Sequence, residues 1–309
     1  TKSVTATSSQ VMAISFSSPN CITRLYMYSF ASSLKIFSIQ TVSCFSEEAV
    51  SSTGTKPVDQ GGLGFDYKWD LGWMNDTLDY FMKQSGERVS FAQRLTFSMF
   101  YFYNERHLLP LSHDEVVHGK KTVIDKIFGD YEMKFPQCRA LYMYMAVHPG
   151  KKLNFMGNEI AMIREWDETK EPDYFLLKYP LHDSFHQYMM ELNKIYSEEP
   201  ALYEKDYDPD GFKWIAINDM QNNVYGIRRN GISSSVAAFF NFSNESHEYV
   251  YTPEQDETLT LVLHSDCECF SGTVKRPARK KKIKARGIGG ARIEIPAFSA
   301  MLFEIKQGI

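Results

Sequence analysis

The chain has 309 residues, 43% of them apolar and 14% aromatic, and carries a net charge of −4. That length allows two domains and a sizeable core, while the acidic balance excludes a broad basic field for nucleic acid or an anionic membrane surface. No stretch approaches the roughly 20 uninterrupted apolar residues of a membrane-spanning helix.

The first 45 residues are rich in Ser and Thr; the first acidic residue is Glu47 and the first aspartate is Asp59. So long a stretch without carboxylates predicts a disordered, decayed or mistranslated segment, although residues 36–45 are apolar enough for a strand. The chain opens at Thr1 with no charged segment leading an apolar one, which reads as a fragment without a signal peptide.

From residue 46 to about 200 the pattern alternates. A helix is predicted to open near Asn75 or Asp76 and run through Leu78, Phe81 and Met82. Phe91, Leu95, Met99 and Phe102 recur at helical spacing and predict a second helix over 88–102. A short apolar run over 107–111 follows, then a helix over 135–147 that is apolar nearly all round and therefore buried. A strand over 153–156 stops at Gly157-Asn158-Glu159, and an amphipathic helix spans 184–197. Strands and helices alternating at this spacing predict parallel βα units.

Beyond about residue 205 the period changes. Short strands are predicted over 213–218, 223–229, 236–241, 248–251, 258–263, 291–294 and 299–305. Turns such as Asn230-Gly231 separate them, which is the pattern of an all-β sandwich. The basic run over 275–286 reads as a solvated loop between two strands, not as a nucleic-acid patch. The five cysteines, Cys21, Cys44, Cys138, Cys267 and Cys269, are sparse and odd in number, so a reduced, cytoplasmic chain is expected. Cys267-Glu268-Cys269 is too tight for a zinc knuckle and has no second pair.

In parallel βα arrays the reacting groups come from the C-terminal ends of strands. Three segments take that position: Ser46-Glu47-Glu48, Ser112-His113-Asp114-Glu115 and Gly157-Asn158-Glu159. Paired carboxylates flanking a sugar bond are what glycoside chemistry requires. Singly, each segment has an ordinary reading as a helix start, an N-cap or a turn. In order, along one βα array, they point to an enzyme of the α/β class acting on sugars.

The run Leu111-Ser112-His113-Asp114-Glu115-Val116-Val117-His118-Gly119-Lys120-Lys121 resembles the glycogen and starch branching enzymes of the α-amylase superfamily. So do Thr55-Lys56-Pro57-Val58-Asp59-Gln60-Gly61-Gly62-Leu63-Gly64-Phe65, Gly72-Trp73-Met74-Asn75-Asp76-Thr77, Phe155-Met156-Gly157-Asn158-Glu159 and Arg164-Glu165-Trp166. The resemblance implies α-1,4 to α-1,6 transfer on glucan polymers (glycogen, amylose, amylopectin) by a retaining double displacement, with no metal or organic cofactor. It implies the second half of a (β/α)8 TIM barrel over 46–203 and a C-terminal β-sandwich over 204–309. By the same resemblance Glu47 is the acid/base, with Glu48 its rival, and Asp114 stabilises the transition state. His113 is implied to bond sugar hydroxyls, and His118, Asp130 and Trp214 to contact the glucan. Asp130 reads equally as a turn acid and Trp214 as a sandwich core aromatic. The family's nucleophile is an aspartate well before the acid/base, and no Asp precedes Asp59. The expected partner is therefore the N-terminal half of the barrel, without which the chain is expected to be inactive and poorly stable.

Overall fold

The computed structural model describes residues 24–25, 43–46, 53–217, 220–253, 255–275, 282–286 and 289–307. Glu47, Glu48 and most of the 1–45 segment lie outside them. A five-stranded sheet comes first, in the order β1 (Arg24–Leu25), β2 (Ser43–Ser46), β3 (Tyr67–Trp69), β4 (His107–Leu111), β5 (Lys151–Asn154). The strands β2 to β5 run parallel and β1 pairs antiparallel on the outer edge of β2. All five residues of β4 are buried, as a strand covered on both faces requires.

Helices fill the crossovers. Helix α1 (Leu71–Met82) opens five residues before Asp76, because Asp70, the residue directly after β3, caps it by accepting from Trp73 N at 2.8 Å. The Asn75 and Asp76 signals are interior to that helix; Asp76 instead pairs with Arg94 at 2.5 Å. The segment 88–102 is not one helix but three 3₁₀ turns and the single α-turn α2 (Gln93–Thr96). The buried Arg88 explains part of the break, since its guanidinium bonds the carbonyls of Lys83, Phe81 and Phe242. After α3 (Val123–Lys126), helix α4 (Tyr131–Val147) is buried nearly all round, as its composition predicts. Helix α5 (Pro180–Glu198) starts four residues before Ser184, with Pro180 at its first turn, where a missing N–H is harmless.

The rest is antiparallel β. Strands β6 (Phe212–Ala216), β7 (Val224–Asn230), β8 (Ser235–Asn241), β10 (Glu257–His264), β11 (Lys282–Ala285) and β13 (Ser299–Gln307) form a sheet ordered β11-β10-β13-β8-β7-β6. Strands β9 (His247–Tyr251) and β12 (Ala291–Ile295) form a second, two-stranded sheet. Phe239, Leu259 and Phe303 of the larger sheet and Tyr251, Ile293 and Ile295 of the smaller share one core. The strand β11 corrects the loop reading of 275–286 over Lys282–Ala285. Leu259 of β10 pairs with Ile283 in the middle of the basic run, whose alternation puts Ile283 and Ala285 inward.

The opposite face of the large sheet packs on the helices. Phe240, Ala300 and Leu302 join Tyr144 of α4 in one continuous core with Leu109 and Leu111 of β4. Three buried arginines cross this junction. Arg88 reaches Phe242 O, Arg139 reaches Ser265 O, and Arg229 reaches Val147 O and Asp206.

His148, at the end of α4, is fully buried. Its Nδ1 donates to Pro149 O at 2.9 Å, so its Nε2 accepts from the Ser98 hydroxyl at 2.9 Å. Burial pushes its pKa down to about 3. The unfolded chain therefore binds a proton here that the folded chain refuses, and this stability is present above about pH 6.5 and lost as pH falls below it. We expect urea midpoints to fall between pH 7 and pH 5 by an amount equivalent to about 2 kcal/mol from this group. The variant His148→Gln should flatten that part of the profile; an unchanged slope would contradict the assignment.

Candidate active site

Strand β4 runs into Ser112, whose extended backbone hands over to one 3₁₀ turn, His113–Glu115. Val116 N closes that turn on His113 O at 3.0 Å. His113 Nε2 lies 3.3 Å from Asp114 Oδ1, and the Asp114 side chain is 48% exposed, open to a ligand. Behind them Phe155 sits 5.9 Å from the His113 ring and 5.3 Å from Trp166, edge to face. Trp166 N donates to Val116 O at 2.9 Å, so the aromatic wall and the Asp114 turn are one unit.

The loop after Val117 is strained and anchored. His118, Gly119 and Lys121 all take positive φ, at 57°, 80° and 68°. Two charged groups hold it. Glu165 accepts from Gly119 N at 2.8 Å and Lys121 N at 2.6 Å, and these amides hold its carboxyl below the usual range. From beneath, the Lys126 ammonium donates to Glu115 O and to Lys121 O, while burial lowers its pKa. We expect Glu165→Ala to speed amide exchange at Gly119 and Lys121 roughly tenfold or more, with little change in global melting. Unchanged exchange at both amides would remove Glu165 from this role.

The end of β5 is tied to the end of β4. Asn158 Nδ2 donates to Leu111 O at 3.2 Å and to Asn154 Oδ1 at 3.1 Å. Gly157 takes φ 91°, which a side chain would strain, and this turns the chain back. Glu159 folds onto its own turn, accepting from Gly157 N at 2.7 Å, and burial pushes its carboxyl up. That carboxylate is occupied locally.

His113 and Asp114 therefore sit together at the C-terminal end of β4, and His118 is exposed on the loop that follows. Asp130 stands apart from that turn, as the N-cap of α4, accepting from Met133 N at 3.0 Å. It borders a groove of about 720 Å³ that Lys121 also lines, with Met82, Phe128, Met133 and Lys134. Trp214 is half-buried in edge strand β6, with its ring 5.2 Å from Phe212, against the main core. Glu47 lies outside the described residues. The strand before it in sequence, β2, ends at Ser46, which pairs with Lys68, and Lys68 pairs with His107. Ser46, the last described residue of β2, is thus in register with the start of β4, two strands away.

Sequence reasoning missed Asp70, because the three-residue strand β3 before it escaped notice. Asp70 is buried and accepts from Tyr101 Oη at 2.7 Å as well as from Trp73 N, and burial raises its carboxyl. The clamps Glu165 and Lys126 were also missed; no spacing rule links them to the loop they hold. Among the described residues no cluster of three or more His, Cys, Asp or Glu is placed to hold a metal ion, and no helix is long and apolar enough to cross a membrane.

Residues 214–306 match the model of the alpha amylase C-terminal all-beta domain. The chain is 45% identical over 222 residues to a 1,4-alpha-glucan branching enzyme of Oceanobacillus iheyensis, covering 71% of this chain and 35% of the relative. It is 38% identical over 263 residues to that of Protochlamydia amoebophila, covering 84% and 36%. The chain thus spans about a third of the length of these curated relatives. Two solved structures share the fold at low identity. An alpha-amylase of H. orenii has a TM-score of 0.58 at 15% identity, covering 86% of this chain and 54% of the other. The alpha-amylase of Geobacillus thermoleovorans, solved with acarbose, has a TM-score of 0.57 at 13% identity, covering 86% and 53%. By sequence the chain is thus a relative of the 1,4-alpha-glucan branching enzymes, matching about a third of their length, with an alpha amylase C-terminal all-beta domain over 214–306.

Proposed function

We propose that residues 46–203 supply the second half of a (β/α)8 barrel and 204–309 its C-terminal β-sandwich, in a cytoplasmic enzyme that moves α-1,4-linked glucan chains to α-1,6 positions. The observation that carries this is the Ser112–Asp114 turn at the C-terminal end of β4, beside the end of β5, where active sites of such barrels form. In this reading Asp114 holds hydroxyls of the glucose ring as positive charge builds on it, and His113, 3.3 Å away, bonds a neighbouring hydroxyl. Glu47 protonates the departing oxygen and later takes the proton of the accepting 6-hydroxyl. His118 and, further off, Asp130 and Trp214 contact the polymer. An α-amylase of this fold solved with acarbose supports a carbohydrate ligand.

The attacking carboxylate must come from outside these residues, since no Asp precedes Asp59. Without it no covalent glucosyl intermediate forms. The sheet also ends at β5, with no further strand on its outer edge among the described residues. Phe97 and Phe100, in the crossover between β3 and β4, are 53% and 82% exposed, apolar surface left open to water. We expect the 309 residues alone to give no iodine-stain shift on amylose. Residues 46–309 joined behind the unmatched first part of the Oceanobacillus iheyensis relative should branch amylose. Branching by the chain alone would contradict this account of the missing nucleophile. A well-folded joined protein that binds immobilised amylopectin without turnover would favour a second reading, a non-catalytic glucan-binding protein.

A further inference from the structure

The sequence predicts a chain of free thiols, yet Cys267 and Cys269 are paired as a disulfide two residues apart. The cause is local. A 3₁₀ turn, Glu268–Phe270, follows Cys267 and brings the two Cα atoms to 5.2 Å. Cys267 Sγ also accepts from Cys269 N at 3.3 Å. Glu268 N bonds Val274 O at 2.7 Å and Val274 N bonds Asp266 O at 2.9 Å, closing the loop over the pair. At Gly272 a Cβ would stand 2.2 Å from Asp266 O, so glycine alone permits this closure.

We propose that Cys267 and Cys269 form a reversible thiol–disulfide site that exchanges two electrons with small thiols and disulfides. Cross-linking residues so close in sequence removes little chain entropy, so the bond is a weak staple. The two sulfurs are also unlike. Cys269 is exposed and Cys267 is 2% exposed, the arrangement of an entry sulfur and a resolving one. Cys138, by contrast, is a buried thiol inside α4 and is shielded from such exchange.

In the oxidising direction the Cys269 thiolate attacks a small disulfide, forming a mixed disulfide and releasing one small thiol. The Cys267 thiolate then attacks the Cys269 sulfur, closing the pair and releasing the second. Two electrons pass from the protein to the small disulfide, and the two thiol protons leave on the two released thiols. The loop lies at the junction of the two halves: Asp266 stands 3.6 Å from Arg139 of α4, and Phe270 is 5.3 Å from Tyr188 of α5.

The test is equilibration of the folded full chain with mixtures of glutathione and its disulfide, followed by alkylation with N-ethylmaleimide and peptide mass analysis. We expect the peptide holding both cysteines to be lighter by two hydrogens and unlabelled in the oxidised mixture. It should become doubly labelled as the mixture is made reducing, while Cys138 stays unlabelled throughout. In Cys267→Ser, glutathione should be trapped on Cys269; in Cys269→Ser, Cys267 should trap far less. The proposal is overturned by double labelling at every ratio, by a peptide that stays oxidised under excess reductant, or by equal trapping on both sulfurs. The titration of the parent chain decides the matter even where a variant does not fold.

Discussion

Replacing Asp114 by asparagine should lower branching by the joined protein by roughly 10³-fold or more, with a far smaller change in KM. Asparagine has the same shape, so the 3₁₀ turn His113–Glu115 and its backbone bond from Val116 N to His113 O survive. On the proposed reading, what disappears is the negative charge facing a ring that becomes cationic only in the transition state. A loss confined to kcat is the signature of such a contact. Asp130→Asn serves as the control. Its carboxylate caps α4, and asparagine caps as well, so kcat should stay within about threefold. Circular dichroism must show both variants folded. An Asp114→Asn protein with nearly full turnover would remove Asp114 from the chemistry.

The largest stability effect is expected at Arg229. Its side chain and that of Asp206 are 0% and 1% exposed, 2.9 Å apart. The guanidinium also donates to Val147 O at 2.8 Å and Gly211 O at 3.0 Å, joining α4, the turn before β6 and β7. Removing one partner of a buried pair strands the other charge, which costs about 3–5 kcal/mol. For a chain of this length, Arg229→Ala should lower the melting temperature by roughly 5–10 °C. Lys151, 3.1 Å from Asp206 and only a third exposed, offsets part of the stranded charge. Adding Asp206→Leu should restore part of the loss, because the orphaned carboxylate goes with it. Melting of Arg229→Ala within about 1 °C of the parent would show that this pair does not hold the junction.

The parts that were legible in the sequence are those governed by periodicity over many residues. Helix α4 and strands such as β8 and β13 are buried along most of their length, and their patterns announce it. Short or long-range features were not legible. Strand β3 has three residues, too few to show a period, and so the capping aspartate after it was read as ordinary chain. The helix expected over 88–102 fails in part because a buried arginine draws on carbonyls 5 to 154 residues away, which no local pattern records. At the site, Ser112–Asp114 could be placed because a buried strand stops there. The Glu165 and Lys126 clamps act across 44 and 5 residues onto Lys121, and only the folded chain reveals them. The Cys267–Cys269 pairing depends on one 3₁₀ turn that composition does not signal.

The most direct measurement is a crystal structure of the joined protein with a bound malto-oligosaccharide. The proposal predicts the carboxyl groups of residues 47 and 114 against one glucose ring, although Ser46 is in register with the start of β4. Side chains on opposite faces of the sheet, or an oligosaccharide seated away from the Ser112–Asp114 turn, would contradict it.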